Sequence, residues 1–221
     1  MIARVRIKFC GMTRVADVRN AVTLGVDAIG LVMTRKSARR VELQHAGEIR
    51  AAIPPFVAAV ALFMDDDPGW IREAVAAFSP DLLQFHGSES ATHCTCYDRA
   101  YLKAVAMGGG ANAGAVIEQH PDAAGFVLDG HVAGELGGSG QRFDWSRVPR
   151  DLRQPLILAG GLTCDNVTAA IRTAQPFAVD VSSGIESAPG IKDVEKMRRF
   201  VEAVHQARNS EYANGVTDVG A

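Results

Sequence analysis

With 221 residues, 48% of them apolar and 22% charged, the chain has the makeup of a globular protein with ample material for a sizeable core. A formal net charge of -2, with no block of Lys or Arg, gives no footprint for nucleic acid or for an anionic membrane. No apolar run is fit to span a bilayer, and MIARVRIKF alternates instead of forming a signal-peptide core, so the expected location is cytoplasmic.

The first strand-like run covers 4–9 and stops on Cys10–Gly11, ahead of a helical pattern over 14–24. A second strand, 27–33 (DAIGLVM), leads through the basic loop RKSARR (35–40) to a helix over 42–52. The third unit pairs 57–63 (VAAVALF) with 68–78, and the fourth runs 81–85 into QFHG and then 88–98. Strand 101–106 and helix 111–119 follow, and then 124–128 (AGFVL), which ends at Asp129. The next crossover, FDWSRVP, leaves room only for a short helix. Strand 155–159 runs into AGGL and a helix over 164–174; strand 177–181 runs into SSGIE and a helix over 192–207.

The strands are mostly continuous apolar runs, as expected of parallel strands covered on both faces. Eight of them, each followed by a helical segment, predict a single α/β domain over 1–208, an eight-stranded parallel (β/α)8 TIM barrel. A doubly wound open sheet is the competitor, and the missing G-x-G-x-x-G after the first strand counts against its dinucleotide-binding form. The stretch 209–221 lacks periodicity and is expected to be a disordered tail.

In such a barrel the loops after the strands form the active face, which turns position into a short list of candidates. AGGL and SSGIE place Gly160, Gly161, Ser183 and Gly184 directly after strands seven and eight. Glycines there let backbone N–H groups approach an anion, and two such loops favour a phosphate cradle over simple tight turns. Cys10 is either a small buried hydrophobe or, at the mouth, a base whose thiolate is stabilised by a helix N-terminus or a cation; Gly11 beside it would leave room for a ligand. Asp129 is either a turn residue or a carboxyl raised in pKa by burial and able to donate a proton. Arg39 and Arg40 lie in a loop that is a solvated turn or a carboxylate clamp. His86 and Asp180 are supporting candidates.

HCTC (93–96) has the look of half a metal site. Cys94 and Cys96 stand two apart on a predicted helix and point in different directions, so they read as packing, and no metal is expected. With Cys10 and Cys164 they form no disulfide framework, which suits the cytoplasm.

KFCGMTR, KSARRV, LLQFHGSES, GGSGQRFDW, LAGGLTCDNV and PFAVDVSSGIESAPGIKD, in that order over residues 4–208, together resemble the phosphoribosylanthranilate isomerases of tryptophan biosynthesis. The resemblance implies a cofactor-free and metal-free Amadori rearrangement of a small phosphoribosyl substrate, in a monomer or homodimer. It assigns the general base to Cys10, the general acid to Asp129, the substrate carboxylate to Arg39, with Arg40 adjacent, and the phosphate to the loops of Gly160, Gly161, Ser183 and Gly184. Two departures stand out: VMTRKSARR lacks the usual Tyr and Pro, and Gly130 follows Asp129 in place of a small hydroxyl residue. The rivals are a catalytically silent phosphate-binding barrel and a dual histidine/tryptophan-pathway isomerase. The dual enzyme would want acidic residues in both catalytic slots and a glycine pair after strands three and four.

Overall fold

The structure is a computed structural model that describes residues 4–110, 113–132, 141–150 and 152–214. Eight parallel strands close into a barrel in chain order, with β8 returning to pair with β1. They are β1 (Arg6–Cys10), β2 (Ala28–Val32), β3 (Ala58–Phe63), β4 (Leu82–Phe85), β5 (Ala100–Ala106), β6 (Gly125–Asp129), β7 (Leu156–Leu158) and β8 (Ala178–Val181). The expected barrel is therefore the observed one.

Helices α1 (Val15–Thr23), α2 (Leu43–Ala51), α3 (Pro68–Phe78), α4 (Ala91–Cys94), α5 (Ala113–Gln119), α6 (Val167–Ala174) and α7 (Val194–Asn214) fill the crossovers. α3 shows why one of these helices begins where it does. Asp67 accepts from Gly69 N and Trp70 N at 2.8 and 3.3 Å, and Pro68 pre-sets the first helical φ. The sixth crossover has only a 3₁₀ turn, Trp145–Arg147, among its described residues, as FDWSRVP foretold. α4 is far shorter than the pattern over 88–98 suggested. α7 runs on to Asn214, so 209–214 is helical where a tail was expected, and 215–221 lie outside the described residues. After β8 a hairpin appears that the sequence pattern did not suggest: β9 (Glu186–Ala188) against β10 (Ile191–Lys192).

Strand alternation sorts the side chains. Ile7 and Phe9 join the main core, where Phe9 meets Phe200 of α7 with ring centroids 6.0 Å apart. The alternate residues face inward. Leu102, Ala104, Val127, Ile157, Ala159 and Ala178 form a small apolar plug of their own, and beside it the inward positions carry charge. Lys8 pairs in register with Asp180 across β1 and β8, its Nζ donating to Asp180 Oδ2 at 2.7 Å, with both side chains buried. Removing one member of such a pair strands the other charge. Lys8→Met is expected to lower unfolding stability by about 3–5 kcal/mol in urea titrations, and Lys8→Met with Asp180→Leu to recover most of it. An equal loss in the double variant would show that the pair is not the cause.

Candidate active site

The C-terminal ends of the strands surround a cleft that brings together Cys10, Arg39, His86, Asp129, Gly160, Gly161, Asp180 and Ser183. Of the candidates read from the sequence, Gly184 does not line it, and neither does Arg40, which pairs with Glu42 outside the cleft. Between the two arginines of the loop, the cleft holds Arg39. The GGSG of the GGSGQRFDW motif falls within 133–140, outside the described residues.

Cys10 ends β1 and is 6% exposed. Its neighbour in register on β2 is Gly30, where an added Cβ would come within 2.8 Å of the Cys10 sulfur. A glycine inside DAIGLVM thus marks the space the thiol needs. Gly11 has a different task from the one expected. Its φ is +69°, and a Cβ there would strike Ser182 Oγ and Arg39 Cδ at 2.8 and 2.9 Å, so it makes room for two loop side chains, not for a ligand.

The two loop glycines act in packing as well as at the rim. Gly160 (φ +81°) permits the β7 and β6 loops to touch, since a Cβ there would lie 2.3 Å from Gly130 N and 3.0 Å from Asp129 Oδ1. At Gly184 a Cβ would fall 1.9 Å from Leu162 O. Loops seven and eight are therefore pressed together, and only Gly160, Gly161 and Ser183 of the predicted cradle border the cleft.

The electrostatics reverse two expectations. Burial pushes the Cys10 thiol up; Lys8 and Lys192 pull it back only in part, and Asp180 adds to the rise. α1 begins five residues beyond Cys10, and no helix end figures among the influences on the thiol. For Asp129, burial again pushes upward, but a hydrogen bond from His131 and the nearby imidazoles of His86 and His131 outweigh it. The carboxyl is held below its ordinary range, and in the free protein Asp129 is ionised and not, as burial alone suggested, protonated. His86 is lowered to about 4, chiefly by burial. Asp180 is raised by burial, with Lys8 opposing.

The second loop's clamp is already partnered. Arg39 donates through Nε and Nη2 to both oxygens of Glu186, at 2.9 and 2.8 Å. Glu186 also accepts from Lys192 Nζ at 2.8 Å, and Lys192 donates to Cys10 O at 2.7 Å. Burial works against the Glu186 charge, yet Arg39 and Lys192 hold its carboxyl below the usual range. Two cations against one carboxylate leave a positive charge behind the Arg39 edge of the cleft, which suits an anionic ligand group.

Lys8, Glu186, His131 and Lys192 were missed by the sequence reading. Lys8 had a signal, because it stands two residues before Cys10 on the same strand and so shares its face. Glu186 and Lys192 meet only through the β9–β10 hairpin, and His131 meets Asp129 only through the turn that follows β6.

The family model described as "N-(5'phosphoribosyl)anthranilate (PRA) isomerase" matches residues 7–203. The chain belongs to this family. An N-(5'-phosphoribosyl)anthranilate isomerase of Stenotrophomonas maltophilia is 51% identical over 206 residues, covering 92% of this chain and 94% of the relative. One of Xanthomonas campestris is 50% identical over 210 residues, covering 92% and 95%. The crystal structure of the Thermotoga maritima phosphoribosyl anthranilate isomerase superposes with a TM-score of 0.83 at 34% identity, covering 91% of this chain and 99% of that one. Another solved isomerase, in complex with reduced 1-(o-carboxyphenylamino)-1-deoxyribulose 5-phosphate, gives a TM-score of 0.81 at 32% identity, covering 91% and 99%. The chain is an isomerase of tryptophan biosynthesis. Among the described residues no helix is long and apolar enough to cross a membrane.

Proposed function

We propose that the cleft converts N-(5'-phosphoribosyl)anthranilate to 1-(2-carboxyphenylamino)-1-deoxyribulose 5-phosphate, with Asp129 as proton donor and Cys10 as base. The observation that carries the assignment is one cleft bordered by both side chains, with Arg39, backed by the buried Glu186 and Lys192, on one loop set and the Gly160–Gly161–Ser183 loops on another.

Asp129 gives its proton to the furanose ring oxygen as the C1'–O bond breaks, and the nitrogen lone pair forms a C1' iminium. The iminium draws electrons, so the C2'–H becomes acidic. Cys10 as thiolate takes that proton, and the freed pair makes the C1'=C2' bond and neutralises the nitrogen. Protonation at C1' and loss of the 2'-hydroxyl proton then give the ketone, with no net change in protons. Anthranilate carboxylate on the Arg39 rim and phosphate on the loops after β7 and β8 hold the reacting carbons between acid and base. The same proposal places the protein in the cytoplasm, as a monomer or a homodimer.

The reacting form has Asp129 protonated and Cys10 ionised, a tautomer of the resting pair that carries the same total charge. Both macroscopic ionisations lie outside the neutral range, because Asp129 is lowered and Cys10 raised. Apart from the substrate phosphate's own ionisation at about pH 6, kcat/KM is therefore expected to be level from about pH 5 to about pH 8 and to fall beyond each end. A limb near neutrality in kcat, which reports the bound complex, would count against this pair.

The direct test mixes the purified chain with freshly prepared phosphoribosylanthranilate and follows the loss of anthranilate fluorescence. Absence of turnover would leave the silent phosphate-binding barrel standing. No glycine pair follows β3 or β4, and Cys10 occupies the first catalytic slot, so the dual isomerase has no support here.

A further inference from the structure

Beside the cleft, three buried side chains converge without being fully used by one another. His86 follows β4, Asp129 ends β6 and His131 lies two residues on, with relative exposures of 7%, 7% and 2%. One ligand-type atom from each lies within 4.8 Å of the others. Asp129 Oδ2 is 3.7 Å from His86 Nε2, Asp129 Oδ1 is 3.3 Å from His131 Nδ1, and the two imidazoles stack with centroids 4.5 Å apart.

His86 Nε2 has no hydrogen-bond partner, and His131 Nδ1 has only the Asp129 carboxylate at 3.3 Å, without hydrogen-bond geometry, although both nitrogens are shut off from solvent. A buried polar atom left unpaired is costly and calls for something that fills it. Two imidazole nitrogens and a carboxylate form a ligand set for borderline divalent cations, not for Mg²⁺ or Ca²⁺. In a tetrahedral centre with bonds of about 2.0–2.1 Å the ligand atoms stand roughly 3.3 Å apart; the Asp129–His131 pair already has that spacing, and the set, within 4.8 Å, reaches it by small side-chain rotations.

We propose that His86, Asp129 and His131 bind a borderline divalent cation, with Zn²⁺ as its type, in the substrate-free protein, leaving one coordination position open to the cleft. His86 and Asp129 border the substrate cleft, and His86 and His131 border a second cavity, so the cluster can be reached from either side. The cation is an inhibitor in this scheme, since it takes the carboxylate needed for proton donation. That inhibitory arm rests on Asp129 as donor; the binding arm does not.

The test titrates the chelator-treated protein with Co²⁺. The expected result is the intense visible absorption of four-coordinate Co²⁺ at one equivalent, without a near-ultraviolet thiolate charge-transfer band, and its loss on adding Zn²⁺. His131→Ala and His86→Asn, each checked for folding by circular dichroism, should weaken binding at least as much as loss of an outer-shell partner does, about 10- to 100-fold. A thiolate band would move the site to Cys94, Cys96 or Cys10 and overturn the proposal, as would unchanged affinity in both variants or no binding at all. Saturating Zn²⁺ should also stop the isomerase assay. Binding with full activity would keep the cation site and count instead against Asp129 as donor.

Discussion

Cys10→Ala is expected to lower kcat for the rearrangement by about 10²–10⁴-fold, the usual worth of a positioned proton transfer, while KM changes little. The sulfur stands over Gly30 and next to the buried Lys8, so alanine removes one heavy atom without asking a neighbour to move. A thermal or urea transition close to that of the parent would therefore accompany the loss. Cys10→Ser should be as inactive as alanine, because a hydroxyl keeps the size but holds its proton far more firmly than a thiol. Lys8 supplies the cation that partly offsets burial at the sulfur, and it is buried with Asp180 on the same inward face. Turnover by Cys10→Ala at the parental rate would remove the thiol from the reaction and return it to the role of a small core residue.

The barrel was legible because its rules are local. Apolar runs such as VAAVALF and DLLQF fall on β3 and β4, and the barrel rule then points at the residues that follow them. Arg39 was legible by motif and is separated from Arg40 by contact: one reaches Glu186 across 147 positions, and the other turns to Glu42 nearby. Protonation was not legible. Asp129 sits at a buried strand end, which alone would raise its pKa, and the two imidazoles that reverse the sign come from the β4 loop and from the turn after β6. No periodicity announces that meeting. The brevity of α4 likewise escaped the pattern, since HCTCYD continues an amphipathic rhythm that the chain abandons after Cys94. Cys94 is buried, as its reading as packing expected, whereas Cys96 is exposed and does not pack.

Asp129→Asn, on its own, is expected to lower kcat by about 10²–10⁴-fold, with the site's shape retained. The amide oxygen can still accept from His131 N, which now donates to Asp129 Oδ1 at 3.2 Å, so the turn after β6 should hold. What is lost is a proton that can leave. Ring opening needs the donor, and C2' deprotonation needs the base, and the two act in successive steps on one substrate. Loss of either makes its own step limiting. Cys10→Ala combined with Asp129→Asn should then fall only to about the slower of the two single variants. A loss equal to the product of the single losses would place both proton transfers in one transition state, and the separate iminium intermediate would have to be given up.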